Sequence, residues 1–122
     1  MRIFIAEDSL IVRERLVGMI EEAGGMEVVG QASSVSEARV QIARLEPDVA
    51  LLDVRLSDGN SFEVLAAIRA GGFDTQVIMM SENPFEQYRT EAMRLGAAHF
   101  FHKSQEFEKI VPALMALQEG RQ

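Results

Sequence analysis

The stretch VALLDVRLSDG, residues 49–59, is an apolar run that leads into a polar, glycine-containing turn. Val49 to Leu52 are apolar in succession, with no alternation of oily and polar positions, as expected of a strand covered on both faces. The run then ends on an acid, Asp53. A carboxylate at the tip of a buried strand is costly unless something pairs with it or uses it. Similar short apolar runs recur on either side: Arg2–Ala6, MEVVGQA (26–32), TQVIMMS (75–81) and AHFFHK (98–103).

Between these runs lie helical patterns. SLIVRERLVGMIEEAGG (9–25) places Ile11, Leu16, Met19 and Ile20 near helical spacing and stops at a glycine pair, a common helix end. SVSEARVQIARLEP (34–47) opens with a capping box, Ser34 with Glu37, and Pro47 stops it. NSFEVLAAIRAGG (60–72) has Asn60 and Glu63 in capping positions. NPFEQYRTEAMRLG (83–96) has Asn83 as the expected N-cap, Pro84 at the first helical position and Gly96 after the last turn. SQEFEKIVPALMALQEG (104–120) is a final helix that Pro112 is expected to bend. Strict alternation of strands and helices implies an α/β domain with a doubly wound, flavodoxin-like parallel sheet and helices on both faces. Its five strands are expected in the order 2-1-3-4-5. The domain is expected to span residues 1–118, with 119–122 a short polar tail.

A chain of 122 residues can bury a real core as one domain. It has no cysteine, which removes disulfides and Cys-ligated metals and fits a cytoplasmic location. Its net charge of −7 argues against a general nucleic-acid surface. No apolar run reaches membrane-spanning length, and MRIFIAEDS is too short and acidic for a signal peptide.

In open parallel sheets, ligands bind beyond the carboxyl ends of the strands, at the point where strand order reverses. Here that point lies between strands 1 and 3. Strand 1 ends in Glu7-Asp8 and strand 3 in Asp53. On the same rim, strand 4 ends in Ser81 and strand 5 in His102-Lys103. Three gathered carboxylates repel one another, and a hard cation such as Mg²⁺ relieves this. A nearby lysine and hydroxyl suit a transferred phosphoryl group, with Asp53 the natural nucleophile. Taken alone, Glu7-Asp8 also reads as a helix cap, and Asp53 as half of a structural ion pair with Lys103. His99 and His102, three apart on a strand, face opposite ways and make no metal site. The methionines read as core fillers. HKS (102–104) lacks the glycines of a phosphate loop, and AEDSL (6–10) is no dinucleotide fingerprint.

Glu7-Asp8, Asp53, Asp58-Gly59, Ser81 and Lys103, each in order near a strand end, resemble the receiver domain of two-component response regulators across essentially the whole chain. The resemblance implies Asp53 as phosphate acceptor. It implies Mg²⁺ held by Asp8 directly, by Glu7 mostly through water, by Asp53, and by the backbone carbonyl of Arg55. It implies Lys103 on the phosphate, Ser81 turning its hydroxyl toward it after transfer, and Phe100 as an aromatic switch that moves inward. The phosphodonor would be a histidine kinase or a phosphotransfer protein. The output would be the face of helix 4, strand 5 and helix 5, offered to a partner or a second copy.

Some positions depart from that pattern. Ser57 stands where Pro is frequent and Ser61 where Gly is frequent, changes expected mainly to alter loop stiffness. Ser104 replaces a proline that is usually cis, so this peptide is either trans in a differently shaped loop or held in a strained cis form. Glu82 replaces a small residue beside the phosphate, and Arg55 and Asn83 occupy positions that tune phosphate lifetime. Arg55 is expected to lean over the phosphate and offset Glu82. Other readings are a phosphorylation-independent pseudo-receiver, a small Mg²⁺-dependent aspartyl phosphatase of the haloacid-dehalogenase type, and a flavodoxin-like flavin binder. The phosphatase needs an acid where Arg55 stands, and the flavin binder needs a hydroxyl-rich loop where AEDSL stands.

Overall fold

A computed structural model describes residues 1–83 and 85–120. The chain runs β1 (Arg2–Ala6), α1 (Leu10–Ala23), β2 (Glu27–Ala32), α2 (Val35–Leu45), β3 (Val49–Asp53), β4 (Arg55–Leu56), β5 (Gly59–Asn60), α3 (Phe62–Ala70), β6 (Gln76–Ser81), α4 (Glu86–Arg94), β7 (His99–His102) and α5 (Ile110–Glu119). A 3-10 turn, Phe107–Lys109, leads into α5. The main sheet is wholly parallel, in the order β2-β1-β3-β6-β7. Counting only its own five strands, this is the order 2-1-3-4-5. The short pair β4–β5 is a separate antiparallel hairpin between β3 and α3, which the sequence pattern does not announce.

The unbroken apolar runs follow from two cores, one on each face of the sheet. Phe4 and Ala6, Ala50 and Leu52, Val77 and Met79, and Phe100 point to the side packed by α2, α3 and α4. Ile3 and Ile5, Val49 and Leu51, and Ile78 and Met80 point to the side packed by α1 and α5. Successive strand residues face opposite ways, so covering both faces makes every position apolar.

Helix ends follow local chemistry in part. Ser34 caps α2 by accepting from the Glu37 N–H at 3.2 Å, and the Glu37 carboxylate accepts from the Ser34 hydroxyl at 3.1 Å. Gly24, at φ 81°, closes α1. Elsewhere the expectations fail. Ile11 is 79% exposed, and the buried stripe of α1 is Leu16 and Ile20. Ile11 falls in the first turn of α1, on the side turned from the sheet, where spacing alone does not say which face is covered. Asn83 does not cap α4: that helix begins at Glu86, and the Asn83 N–H instead donates to the Ser81 hydroxyl at 3.1 Å. Pro84 lies outside the described residues. Asn60 makes a tight turn, its side-chain carbonyl accepting from Phe62 N–H at 3.1 Å, while the N-cap position of α3 is Ser61. Pro112 sits in the first turn of α5, because the 3-10 turn resets the helix start at Ile110. There its missing N–H costs little and no bend is called for. Helix α5 extends to Glu119.

Candidate functional site

The tips of β1, β3 and β7 are each held by one backbone bond beyond the regular ladder. The Glu7 N–H donates to the Ala32 carbonyl at 2.9 Å, Val54 N–H to Met80 at 2.8 Å, and Lys103 N–H to Ser81 at 2.8 Å. These bonds extend the sheet by a residue and fix the side chains that leave it. As a result, carboxylate oxygens of Glu7, Asp8 and Asp53 lie within 4.8 Å of one another. Ser9, not either acid, caps α1, accepting from Val12 N–H at 3.3 Å. Glu7 and Asp8 are therefore not engaged as helix caps.

Lys103 crosses from β7 to the acids. Its ammonium lies 2.5 Å from Glu7 Oε1 and donates to Asp53 Oδ2 at 3.0 Å. The Glu7 contact is ionic without the alignment of a hydrogen bond, and the other Glu7 oxygen has no donor. Glu7 is fully buried, and Asp53 is 5% exposed. Burial, above all, pushes the Glu7 carboxyl up to about 7, with Asp53 adding to the rise and Lys103 opposing it. Burial pulls the Lys103 ammonium down, yet the close Glu7 and Asp53 carboxylates outweigh it, so the net shift is upward. One ammonium thus faces three acids, and the excess negative charge has no further cation among the described residues that is bonded to it. Hard oxygen donors, clustered and short of hydrogen bonds, fit a hard divalent cation of the Mg²⁺ type.

Of the other predicted residues, Ser81 and Phe100 are buried and Arg55 is exposed. Ser81 is 1% exposed at the tip of β6, and its hydroxyl accepts from Asn83 N–H. Phe100, 5% exposed, belongs to the core under α4. The Arg89 guanidinium sits 5.1 Å above its ring and donates to its carbonyl at 3.2 Å. Arg55 is exposed on the β4–β5 hairpin. No peptide bond among the described residues is cis, so the Lys103–Ser104 loop is trans.

Each of the four departures from the receiver pattern makes a polar tie. The Ser104 hydroxyl reaches both Glu82 carboxylate oxygens at 2.8 Å, so these two unusual residues meet each other. Ser57 donates from its N–H and its hydroxyl to the Ser33 carbonyl, at 3.4 and 3.1 Å. Ser61 is completely buried, and its hydroxyl donates to the Asp53 carbonyl at 2.6 Å. The Asp58 carboxylate accepts from Val35 and Ser36 N–H at 2.6 and 3.2 Å, fastening the hairpin to the start of α2. The Val35 bond, first, holds the Asp58 carboxyl below its ordinary value. The sequence reading missed the roles of Ser61, Asp58 and Arg89. A serine opening a helix reads as a cap, and an arginine on an exposed helix face reads as solvated.

The chain matches the response regulator receiver domain over residues 3–115, and it belongs to that family. The transcriptional regulatory protein NarL of Mycobacterium tuberculosis is 32% identical over 120 residues, which are 98% of this chain and 56% of NarL. The DNA-binding transcriptional activator DevR/DosR of the same species is 29% identical, over 98% of this chain and 55% of its own length. The chain spans about half the length of the curated relatives it matches. The solved receiver domain of M. tuberculosis NarL superposes with a TM-score of 0.89 at 31% identity, covering 98% of this chain and 96% of that one. The response regulator domain of Thermotoga maritima CheB follows at 0.83 and 30%, covering 98% and 94%. Receiver domains are signalling modules that interact with histidine kinases or phosphotransfer proteins. Nothing in these likenesses favours a phosphatase, a flavin binder or a pseudo-receiver. No described helix is long and apolar enough to cross a membrane.

Proposed function

We propose that this receiver takes a phosphoryl group onto Asp53 from a phosphohistidine donor and uses it as a conformational switch. The observation that carries this reading is the Lys103 ammonium bonded to Asp53 within a cluster of three carboxylates. An Asp53 carboxylate oxygen attacks phosphorus, the P–N bond to the donor histidine breaks, and the imidazole keeps the electron pair. Lys103 steadies charge on the phosphoryl oxygens, as fixed cations do in such transfers. Mg²⁺ would be held by Asp8, Glu7, Asp53 and the Arg55 carbonyl, and would supply charge neutralisation for the incoming phosphoryl group. Leu10 and Ile11, 57% and 79% exposed just beyond Asp8, offer the donor an apolar seat.

Ser81 turning from the Asn83 N–H toward the phosphoryl oxygens would move the β6–α4 loop, and Phe100 would follow with β7. The face of α4, β7 and α5 is then remade for a partner or a second copy, a population shift between two states. Glu82, held by Ser104, and Asn83 tune the lifetime from the β6–α4 loop, and Arg55 from the opposite hairpin. If Arg55 reaches over the phosphoryl group, Arg55→Ala changes the dephosphorylation rate, and equal rates reject that role. The receiver is placed in the cytoplasm, where histidine kinases present their phosphohistidine. We take the domain as residues 1–118, with Glu119 closing α5 just beyond that bound.

The test is incubation with a small acyl phosphate and Mg²⁺, followed by intact mass. Wild type should gain one phosphoryl group and Asp53→Asn none. A wild type that gains nothing, or an Asp53→Asn variant that gains as much, rejects the reading.

A further inference from the structure

We propose that Ser61 is a positioning residue for phosphoryl transfer: its hydroxyl fixes the peptide that carries Asp53, and with it the direction of the Asp53 carboxylate. The inference rests on the reading of Asp53 as the phosphoacceptor.

Ser61 stands at the N-cap position of α3 but makes no side-chain cap bond. An N-cap serine ordinarily accepts from the amide two or three residues on. This one points the other way and donates to the Asp53 carbonyl at 2.6 Å, in a fully buried setting. The Ser61 N–H also donates to the Val54 carbonyl at 2.8 Å, and the Val54 N–H donates to Met80 at 2.8 Å. Three consecutive polar groups of the turn after Asp53 are thereby occupied, two of them by Ser61. Helix α3 is anchored by the buried side chains of Val64, Leu65 and Ile68, so the tie runs from a packed helix to the reactive residue.

The Asp53 carbonyl and side chain leave the same Cα. A backbone shift that moves that Cα therefore carries the carboxylate with it, relative to Glu7, Asp8 and Lys103. Transfer requires the attacking oxygen in line with the leaving nitrogen, and small misplacements are costly. Replacing the hydroxyl also leaves the Asp53 carbonyl buried without a donor, which favours such a shift.

Ser61→Ala, Ser61→Gly and Ser61→Thr decide the matter, each measured below its melting temperature. The labelling rate with a small acyl phosphate and the Mg²⁺ dissociation constant by calorimetry are read on folded protein. Ala and Gly should label about tenfold more slowly, the effect of about one net hydrogen bond. Their Mg²⁺ affinity should weaken, and Thr should restore both. A merely structural serine would lower the melting temperature and leave rate and affinity unmoved, which overturns the proposal. In wild type the Ser61 hydroxyl proton should appear as a slowly exchanging NMR resonance. Exchange at the solvent rate overturns the proposal even where the substituted chains fail to fold. If wild type itself takes no phosphoryl group, the phosphoacceptor reading falls; if wild type labels and the Ala and Gly variants match it, only the role of Ser61 falls.

Discussion

Replacing Lys103 by methionine keeps most of the side-chain volume and removes the ammonium from between Glu7 and Asp53. At an effective dielectric of about 20, a unit charge 3.0 Å from another is attracted by about 5.5 kcal/mol. Part of this is returned, because the lysine no longer has to be desolvated. The acids, however, stay buried, with Glu7 and Asp53 side chains 0% and 7% exposed. Breaking one side of a buried pair costs roughly 3–5 kcal/mol. Glu7, already raised to about 7, can take up a proton and soften the loss, so the low end is expected, about 3 kcal/mol. For a domain of this length that lowers the melting temperature by about 12 °C. The assay is thermal unfolding by circular dichroism in low salt with a chelator present. Lys109→Met is the control, since that lysine also lies 3.0 Å from a carboxylate, that of Glu106, but is 57% exposed. Its loss should stay below about 1 kcal/mol. Mg²⁺ at about a hundred times its dissociation constant should return about 2.7 kcal/mol to Lys103→Met. If the two lysine variants melt together, the ammonium does not hold the acids and the account of the site is wrong.

Other expectations concern packing, capping and the loops. Ile20→Ala, at a fully buried position, should cost about 2–5 kcal/mol in denaturant unfolding, whereas Ile11→Ala, 79% exposed, should cost less than about 0.5; similar losses would refute the assignment of the buried face of α1. The Asp58 carboxyl is held below its ordinary value of 3.8, so its stabilising contribution is full above that pH and disappears as pH falls through the lower folded value. Amide exchange at Val35 and Ser36 should therefore quicken in that acid window in wild type, while Asp58→Asn shows no such step; an identical profile in both rejects the cap. Glu82→Ala and Ser104→Ala should couple by about 1 kcal/mol in a double-mutant cycle, and strictly additive effects would dissolve the Glu82–Ser104 tie.

The order of the five main strands and their helices, and the acids at the strand tips, were legible in the residues alone. Val49–Asp53 is legible because a strand covered on both faces must be apolar at every position, and the structure ends that strand at Asp53. The expected order 2-1-3-4-5 puts Glu7 and Asp53 at neighbouring tips, and the observed sheet has that order. The capping box at Ser34 and Glu37 is local chemistry and was legible for that reason. The rest needed the folded chain, because those contacts join residues far apart in sequence or reverse a local preference. Ile11 has helical spacing but the wrong face. Asn83 has the chemistry of a cap, yet its N–H is taken by Ser81, and Ser61 has the chemistry of a cap, yet its hydroxyl turns to Asp53. Ser104 and Glu82, twenty-two residues apart, meet only when two loops fold against each other. Local propensity fixes which bonds a residue can make; the packed sheet and helices fix which partner is within reach.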